Sequence, residues 1–330
     1  MTVLVTGGAG YIGSHMVLAL RADGEPVVVL DNLSTGSRSV VPADVPLIVG
    51  DIGDEARVGA LLREHRIDAI IHFAGSIVVP DSIADPLGYY HNNTVKSRAL
   101  MAAAVAAGVP HFIFSSTAAV YGMGTGEPVT ETAPLQPISP YGSSKLMTEQ
   151  MLADTAFAQK FTYVALRYFN VAGGDPAGRT GQSTPRATHL IKVACQTALG
   201  QHAELNVFGT DYPTPDGTCI RDYIHVSDLA RAHLSALRHL RAGGSCEVFN
   251  CGYGAGYSVL QVIAAVKQAS GVDFKVTFVP RRPGDPAALV ADAGRIREVL
   301  GWKPELDDLD TIVKHAFAWE ERLARMAKAS

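Results

Sequence analysis

Short apolar runs alternating with stretches of helical periodicity predict an α/β fold: a doubly wound parallel sheet with helices on both faces. Three observations carry that reading. The chain opens on an apolar run that passes through a glycine turn into a helix. The alternation of run and helix then repeats as far as residue 167. From about Val171 the pattern gives way to turn-rich segments, which predict a smaller, loop-rich C-terminal domain. A chain of 330 residues is long enough for two such subdomains.

The first strand is Val3 to Val5. Gly7, Gly10 and Gly13 follow at three-residue intervals, and helical periodicity runs from Ser14 to Ala22. Strand, glycine turn and helix in this order signal a Rossmann-type dinucleotide site. Glycines let the backbone approach a pyrophosphate, and the helix N-terminus offers N–H groups to it. The second strand, Val27 to Leu30, ends at Asp31, roughly 20 residues past the turn, where a ribose hydroxyl is held. A carboxylate there repels a 2′-phosphate, so NAD is expected over NADP.

Further strands are expected over 46–51, 69–75, 111–116 and 163–167. Helices are expected over 57–65, 89–107 and 141–158. In such a sheet the ligand lies at the carboxyl ends of the strands, which selects Gly7, Asp31, Asp51, Phe73 and Ser115. Helix 226–240 and strand 247–250 return to the regular pattern. The expected division is therefore 1–170 with 224–252 for the NAD-binding domain, and 171–223 with 253–330 for the substrate domain.

The run Ser139-Pro140-Tyr141-Gly142-Ser143-Ser144-Lys145 places Tyr141 and Lys145 four apart on one helix face, with Pro140 suited to the first turn. An ammonium beside a phenol lowers the phenol pKa and makes a base for a sugar hydroxyl.

Composition narrows the alternatives. A net charge of -4 gives no electrostatic footprint for nucleic acid. The four cysteines, Cys195, Cys219, Cys246 and Cys251, lack CxxC spacing and are expected to be buried free thiols. The eleven histidines form no metal-like cluster, so no metal site is expected; packing accounts for His72, His225 and His233. No stretch is apolar enough to span a bilayer and no signal peptide is recognisable, so no membrane association and a cytoplasmic location are expected.

The chain resembles the UDP-glucose 4-epimerases (UDP-galactose 4-epimerases) of the extended short-chain dehydrogenase/reductase superfamily. The resemblance rests on VTGGAGYIGSH (5–15), DNLSTG (31–36), IHFAG (71–75), FIFSSTAAVYG (112–122), SPYGSSKL (139–146), LRYFNVAG (166–173), DGTCIRDYIHVSDLARAH (216–233) and PRRPGD (280–285). It implies a tightly bound NAD and a reversible interconversion of UDP-glucose and UDP-galactose. Tyr141 takes the 4-hydroxyl proton while C4 gives a hydride to the nicotinamide, the 4-keto sugar rotates, and the hydride returns to the other face. Lys145 lowers the Tyr141 pKa, and Thr117 aids proton transfer.

The resemblance further implies cofactor contacts from Gly7, Gly10, Tyr11, Ile12, Gly13, Asp31, Asn32, Asp51, Ile52, Phe73, Ala74, Gly75, Asn92, Ser115, Tyr141, Lys145 and Phe169. Substrate contacts are implied for Thr117, Tyr141, Asn170, His189, Leu190, Phe208, Arg221, Tyr223, Arg282, Asp285 and Leu289. Guanidinium groups suit a diphosphate because they donate paired hydrogen bonds. A homodimer through helices 89–107 and 141–158 is implied as well. Two positions depart from the family pattern: Ile77 stands where some members carry Lys, and His189 stands where Asn is found. Competing readings are a 4-epimerase for another UDP sugar (UDP-N-acetylglucosamine, a UDP-pentose or a UDP-uronate) and a non-catalytic NAD-binding scaffold. A 4,6-dehydratase needs an acid and a base beside Thr117, and Ala118 and Ala119 stand there.

Overall fold

The first strand, β1 (Thr2–Thr6), is buried almost from end to end because both faces of its sheet are covered. The computed structural model describes residues 1–124, 126–184, 188–282 and 284–329. Pro283, within the segment 280–285 quoted above, lies outside the described residues. After β1 come α1 (Tyr11–Ala22), β2 (Val27–Asp31), β3 (Leu47–Val49), α2 (Glu55–Glu64) and β4 (Ile67–His72). Then follow α3 (Val79–Ala84), α4 (Pro86–Tyr89), α5 (Lys96–Ala106), β5 (His111–Thr117), α6 (Pro140–Ala158) and β6 (Thr162–Tyr168).

The second half holds β7 (Asn170–Ala172), α7 (Leu190–Ala198), β8 (Leu205–Phe208), β9 (Ile220–His225), α8 (Val226–Arg241) and β10 (Glu247–Cys251). It ends with β11 (Gly256–Ser258), α9 (Val259–Ser270), β12 (Val276–Val279), β13 (Ala288–Leu289), α10 (Gly294–Leu300) and α11 (Leu309–Ala329).

Seven strands form a parallel sheet in the order β10-β6-β5-β4-β1-β2-β3. The order reverses between β1 and β4, where an open α/β sheet leaves a crevice at its carboxyl edge. Alternate residues feed two cores. Leu4, Leu30, Ile70, Phe112 and Phe114 pack with Leu62 of α2, Leu100 of α5 and Leu152 of α6. Val5, Val29, Ile71 and Ile113 face the other way, toward Met16 and Leu20 of α1 and Leu237 of α8. β10 extends this sheet although it lies 79 residues beyond β6 in the chain, so the late return of the regular pattern has a place in the fold. A second sheet gathers β7, β13 and β11 around β9, and a third pairs β12 with β8.

Three expectations need correction. The single helix over 89–107 is interrupted: α4 ends at Tyr89, a π-helical turn spans Tyr90–Val95, and α5 begins at Lys96. From that turn the adjacent Asn92 and Asn93 both reach Ser76 in the loop after β4. The strand over 46–51 shortens to Leu47–Val49, because the Asp51 side chain accepts the Gly53 N–H and turns the chain toward α2. Cys246 is only partly buried, near the exposed start of the edge strand β10, while the other three thiols are buried; all four are free. No helix among the described residues is long and apolar enough to cross a membrane.

Candidate active site

The glycine turn between β1 and α1 is built so tightly that side chains cannot enter it. Gly7 has φ +70°, and a Cβ there would lie 2.7 Å from the Ala74 backbone nitrogen. A Cβ on Gly13 would lie 2.2 Å from the Gly7 carbonyl oxygen. The bare backbone of this turn forms one end of a cavity of about 620 Å³, a volume typical of cofactor and substrate sites.

At the carboxyl end of β2, the buried Asp31 carboxylate accepts the Ala9 N–H at 2.9 Å and the Leu33 N–H at 2.8 Å. It thereby joins the second strand to the glycine turn. Asp51 pairs with Lys96 at 2.6 Å. Burial acts to raise the Asp51 pKa, yet the hydrogen bonds from Lys96 and the Gly53 N–H win and hold it below the ordinary carboxylate value. Lys96 lines the cavity too and was not foreseen; a Lys inside the stretch that reads as one helix over 89–107 carries no sequence signal of its own. Asn93 was missed for the same reason. Its Oδ1 accepts the Ser76 N–H at 2.7 Å, and its Nδ2 donates to Ser144 Oγ at 3.1 Å. It thus ties the loop after β4 to α6.

The helix carrying Tyr141 starts where sequence placed it, with Pro140 in the first turn and the Ser139 hydroxyl accepting the Gly142 N–H at 3.2 Å. Tyr141 is buried beside the Thr117 side chain, and both line the cavity. Lys145, one turn further along, donates to the Ser115 carbonyl oxygen at 2.9 Å, and its ammonium sits 4.9 Å from the centre of the Phe114 ring.

The electrostatic expectation for this pair needs revising. Burial raises the Tyr141 pKa, and the Thr117 side chain opposes that shift. Burial also lowers Lys145 to about 8, opposed by the Glu149 carboxylate one turn away. Both groups lose water on the same face, so each charged form is penalised, and the ammonium spends a hydrogen bond on a backbone carbonyl. Glu149 in turn is held by Arg167 at 2.6 Å and by the Ser116 hydroxyl, a buried network that braces the floor under α6.

Most of the residues selected from sequence meet at this one cavity. Its wall includes Gly7, Gly10, Tyr11, Ile12, Gly13, Asp31, Asn32, Asp51, Ile52, Phe73, Ala74, Gly75, Asn92 and Ser115. Thr117, Tyr141, Phe169, Asn170, His189, Arg221, Asp285 and Leu289 complete it from the opposite side. Ile77 lies on the wall as well. Five residues are not on it: Lys145 stands behind Tyr141, and Leu190, Phe208, Tyr223 and Arg282 lie outside. Arg282 stacks on Phe208, with its guanidinium carbon 3.6 Å from the ring centre.

Arg221 is fixed by donating to the Ile220 and Pro286 carbonyls, each at 2.8 Å, and lies 3.5 Å from the Asp285 carboxylate. His189, the residue that precedes α7, is exposed at the cavity rim, and desolvation and the Lys192 ammonium draw its pKa below the ordinary imidazole value. Its Nδ1 is 3.3 Å from Gln182 Nε2. Among the described residues, no group of three His, Cys, Asp or Glu could hold a metal ion.

The side-chain-free turn, the carboxylate at the end of β2 and the buried Tyr–Thr–Lys group fit a dinucleotide with its reactive end at Tyr141. Comparison with known proteins agrees. The NAD dependent epimerase/dehydratase family matches residues 3–252. The UDP-glucose 4-epimerase of Azospirillum brasilense is 60% identical over 97% of this chain and 92% of its own length. The crystal structure of UDP-glucose 4-epimerase from Brucella ovis in complex with NAD superposes with a TM-score of 0.94 at 44% identity, covering 96% of this chain and 97% of that one. The UDP-Glc/GlcNAc 4-epimerase from Campylobacter jejuni gives a TM-score of 0.86 at 48% identity, covering 97% and 99%. The chain belongs to the NAD dependent epimerase/dehydratase family.

Proposed function

We infer that this chain is a UDP-glucose 4-epimerase that interconverts UDP-glucose and UDP-galactose with NAD as a resident cofactor. The observation that carries the reading is one cavity holding both the glycine turn and the buried Tyr141–Thr117 pair. A bound NAD would supply a reversible hydride acceptor for the sugar C4. The chain's own residues do the rest. Gly7, Gly10 and Gly13 with Asp31 hold the dinucleotide, and the bare turn admits its pyrophosphate. The Tyr141 oxygen takes the proton of the sugar 4-hydroxyl and gives it back, and Thr117 holds that oxygen in place. Lys145, one turn beyond Tyr141, is held on the Ser115 carbonyl and would donate to the nicotinamide ribose of a bound NAD.

We assign residues 1–170 with 224–252 to NAD, and 171–223 with 253–330 to the UDP sugar. Arg221, Asp285 and His189 supply the polar groups on the substrate side of the cavity. Arg282 and Phe208 are assigned to the UDP end just beyond it, with Leu190 and Tyr223 as packing support. The substrate partners are UDP-glucose and UDP-galactose. The protein forms a homodimer through the region of helices 89–107 and 141–158, where the Phe157 side chain is 95% exposed. A single-chain mass by light scattering at micromolar concentration refutes that assembly.

The test of function is incubation of purified protein with UDP-galactose, without added NAD. UDP-glucose should form. Tyr141→Phe should retain NAD and lose about 10²–10⁴-fold in kcat, the usual contribution of a proton-transfer group. Activity of that variant within threefold of wild type removes Tyr141 from its role.

A further inference from the structure

Arg281 and Arg282 follow β12, and on the β13 side Gly284, Asp285, Pro286 and Leu289 line the cavity wall. The β13 side is fastened by backbone: Ile220 N–H donates to the Ala287 carbonyl at 2.8 Å, and β13 pairs with β9. The β12 side is fastened by side chains. Arg281 and Arg282, adjacent in sequence, each lie on an aromatic ring, Tyr212 in the loop after β8 and Phe208 at the end of β8. The Arg281 guanidinium carbon is 4.0 Å from the centre of the Tyr212 ring, and the Arg282 carbon is 3.6 Å from that of Phe208.

The two arginines are not equivalent. Arg281 Nε donates to Asp211 Oδ1 at 2.6 Å and its Nη2 to the Asp211 carbonyl, so its charge is neutralised. Among the described residues Arg282 has no ion-pair partner. The loop is shaped for this contact. Gly209 has φ +83°, and a Cβ there would lie 2.6 Å from both Arg281 Cγ and the Tyr212 ring. A neutralised, stacked arginine beside an uncompensated one divides anchoring from anion binding.

We propose that Arg281, Asp211 and Tyr212 form a latch that positions the neighbouring Arg282 for the diphosphate of the nucleotide sugar. The latch residues touch no substrate; they are positioning residues. This rests on the epimerase reading given above.

The test uses the NAD-loaded protein. Calorimetric titration with UDP is paired with KM and kcat for UDP-glucose. Arg281→Ala should weaken UDP and raise KM together by about tenfold, with kcat within about twofold and NAD content unchanged; about tenfold is the order expected from losing a stacked, ion-paired guanidinium. Tyr212→Leu should reproduce that change, and Tyr212→Phe, which keeps the ring, should restore wild-type affinity. The double variant of Arg281→Ala with Tyr212→Leu should be no weaker than Arg281→Ala alone. UDP affinity of Arg281→Ala within twofold of wild type overturns the latch, as does a kcat that falls in step with lost NAD. A wild type that binds UDP without interconverting the sugars overturns the epimerase reading and leaves the latch measurable; an active wild type with an indifferent Arg281→Ala does the reverse.

Discussion

Leu289 illustrates how much a single side chain on the cavity wall can decide. It sits in β13 opposite Arg221 of β9, buried, with its Cδ1 facing Gly124. A branched aliphatic chain at this place leaves more room than an aromatic ring would. The expected outcome is UDP-glucose and UDP-galactose as the main pair, with slower but measurable turnover of UDP-N-acetylglucosamine. A steric difference of this size is worth roughly 1–3 kcal/mol, or about 10–200-fold. Leu289→Tyr should abolish the activity on the N-acetyl sugar and spare the main pair; kcat/KM for both sugars decides it. No turnover of the N-acetyl sugar by wild type, or none lost in the variant, rules Leu289 out as the gate. At the same scale, Tyr141 and Lys145 show why spacing alone misjudges chemistry. Four residues apart, they share a face, but burial moves both pKa values against their charged forms.

Among the elements, the glycine turn is the most constrained. It has to bring β1 and α1 together while leaving its backbone open to the cavity, and Gly13 packs against the Gly7 carbonyl so closely that no Cβ fits. Gly13→Ala should displace the start of α1. The expected result is protein that folds but retains less than about a tenth of its NAD after dialysis, since a strained turn costs about 1–3 kcal/mol at the binding site. Absorbance of the dinucleotide released on denaturation measures this, and full occupancy contradicts it. The π-helical turn at Tyr90–Val95 is a second element whose shape serves the site. It interrupts what sequence presents as one helix, and in doing so delivers Asn92 and Asn93 to Ser76.

Across the whole molecule, neutral buried histidines set the response to acid. Burial lowers His72 and His225 to about 3 and His15 and His233 to about 4. His72 bridges Thr6 and Ser97 from β4, at 2.7 and 2.8 Å, and cannot ionise there without losing an acceptor. The unfolded chain takes up protons near pH 6.5, and the folded one does not until far lower. Stability is therefore full above pH 6.5 and is lost as pH falls from 6.5 toward 4. Each such histidine costs on the order of 1 kcal/mol per pH unit in that window. Asp222 works in the opposite sense. Burial raises it to about 6 despite three backbone N–H bonds, so acid relieves it between pH 6 and the ordinary carboxylate range. Glu320 is raised by burial in the same sense, but two carboxyls do not offset four histidines, so the urea midpoint should be lower at pH 5.5 than at pH 7.5. An equal or higher midpoint at pH 5.5 refutes the assignment.

The parallel sheet, the glycine turn, Asp31 and the Tyr141–Lys145 helix were legible in the sequence because each follows from local periodicity, turn chemistry or a short spacing. The sequence by itself determined which residues could form strands buried on both faces, where backbone had to remain bare, and which side chains could move a proton. It did not reveal the π-helical turn, the place of Lys96 and Asn93, or the stacking of Arg281 on Tyr212 and of Arg282 on Phe208. Nor did it reveal that burial raises the Tyr141 pKa against the Thr117 side chain. Those depend on what lies across a gap of many residues. Only the tertiary structure brought β13 beside β9 and set Asp285 and Leu289 on the cavity wall, because desolvation and side-chain stacking arise when distant elements pack together and leave no local mark on the chain.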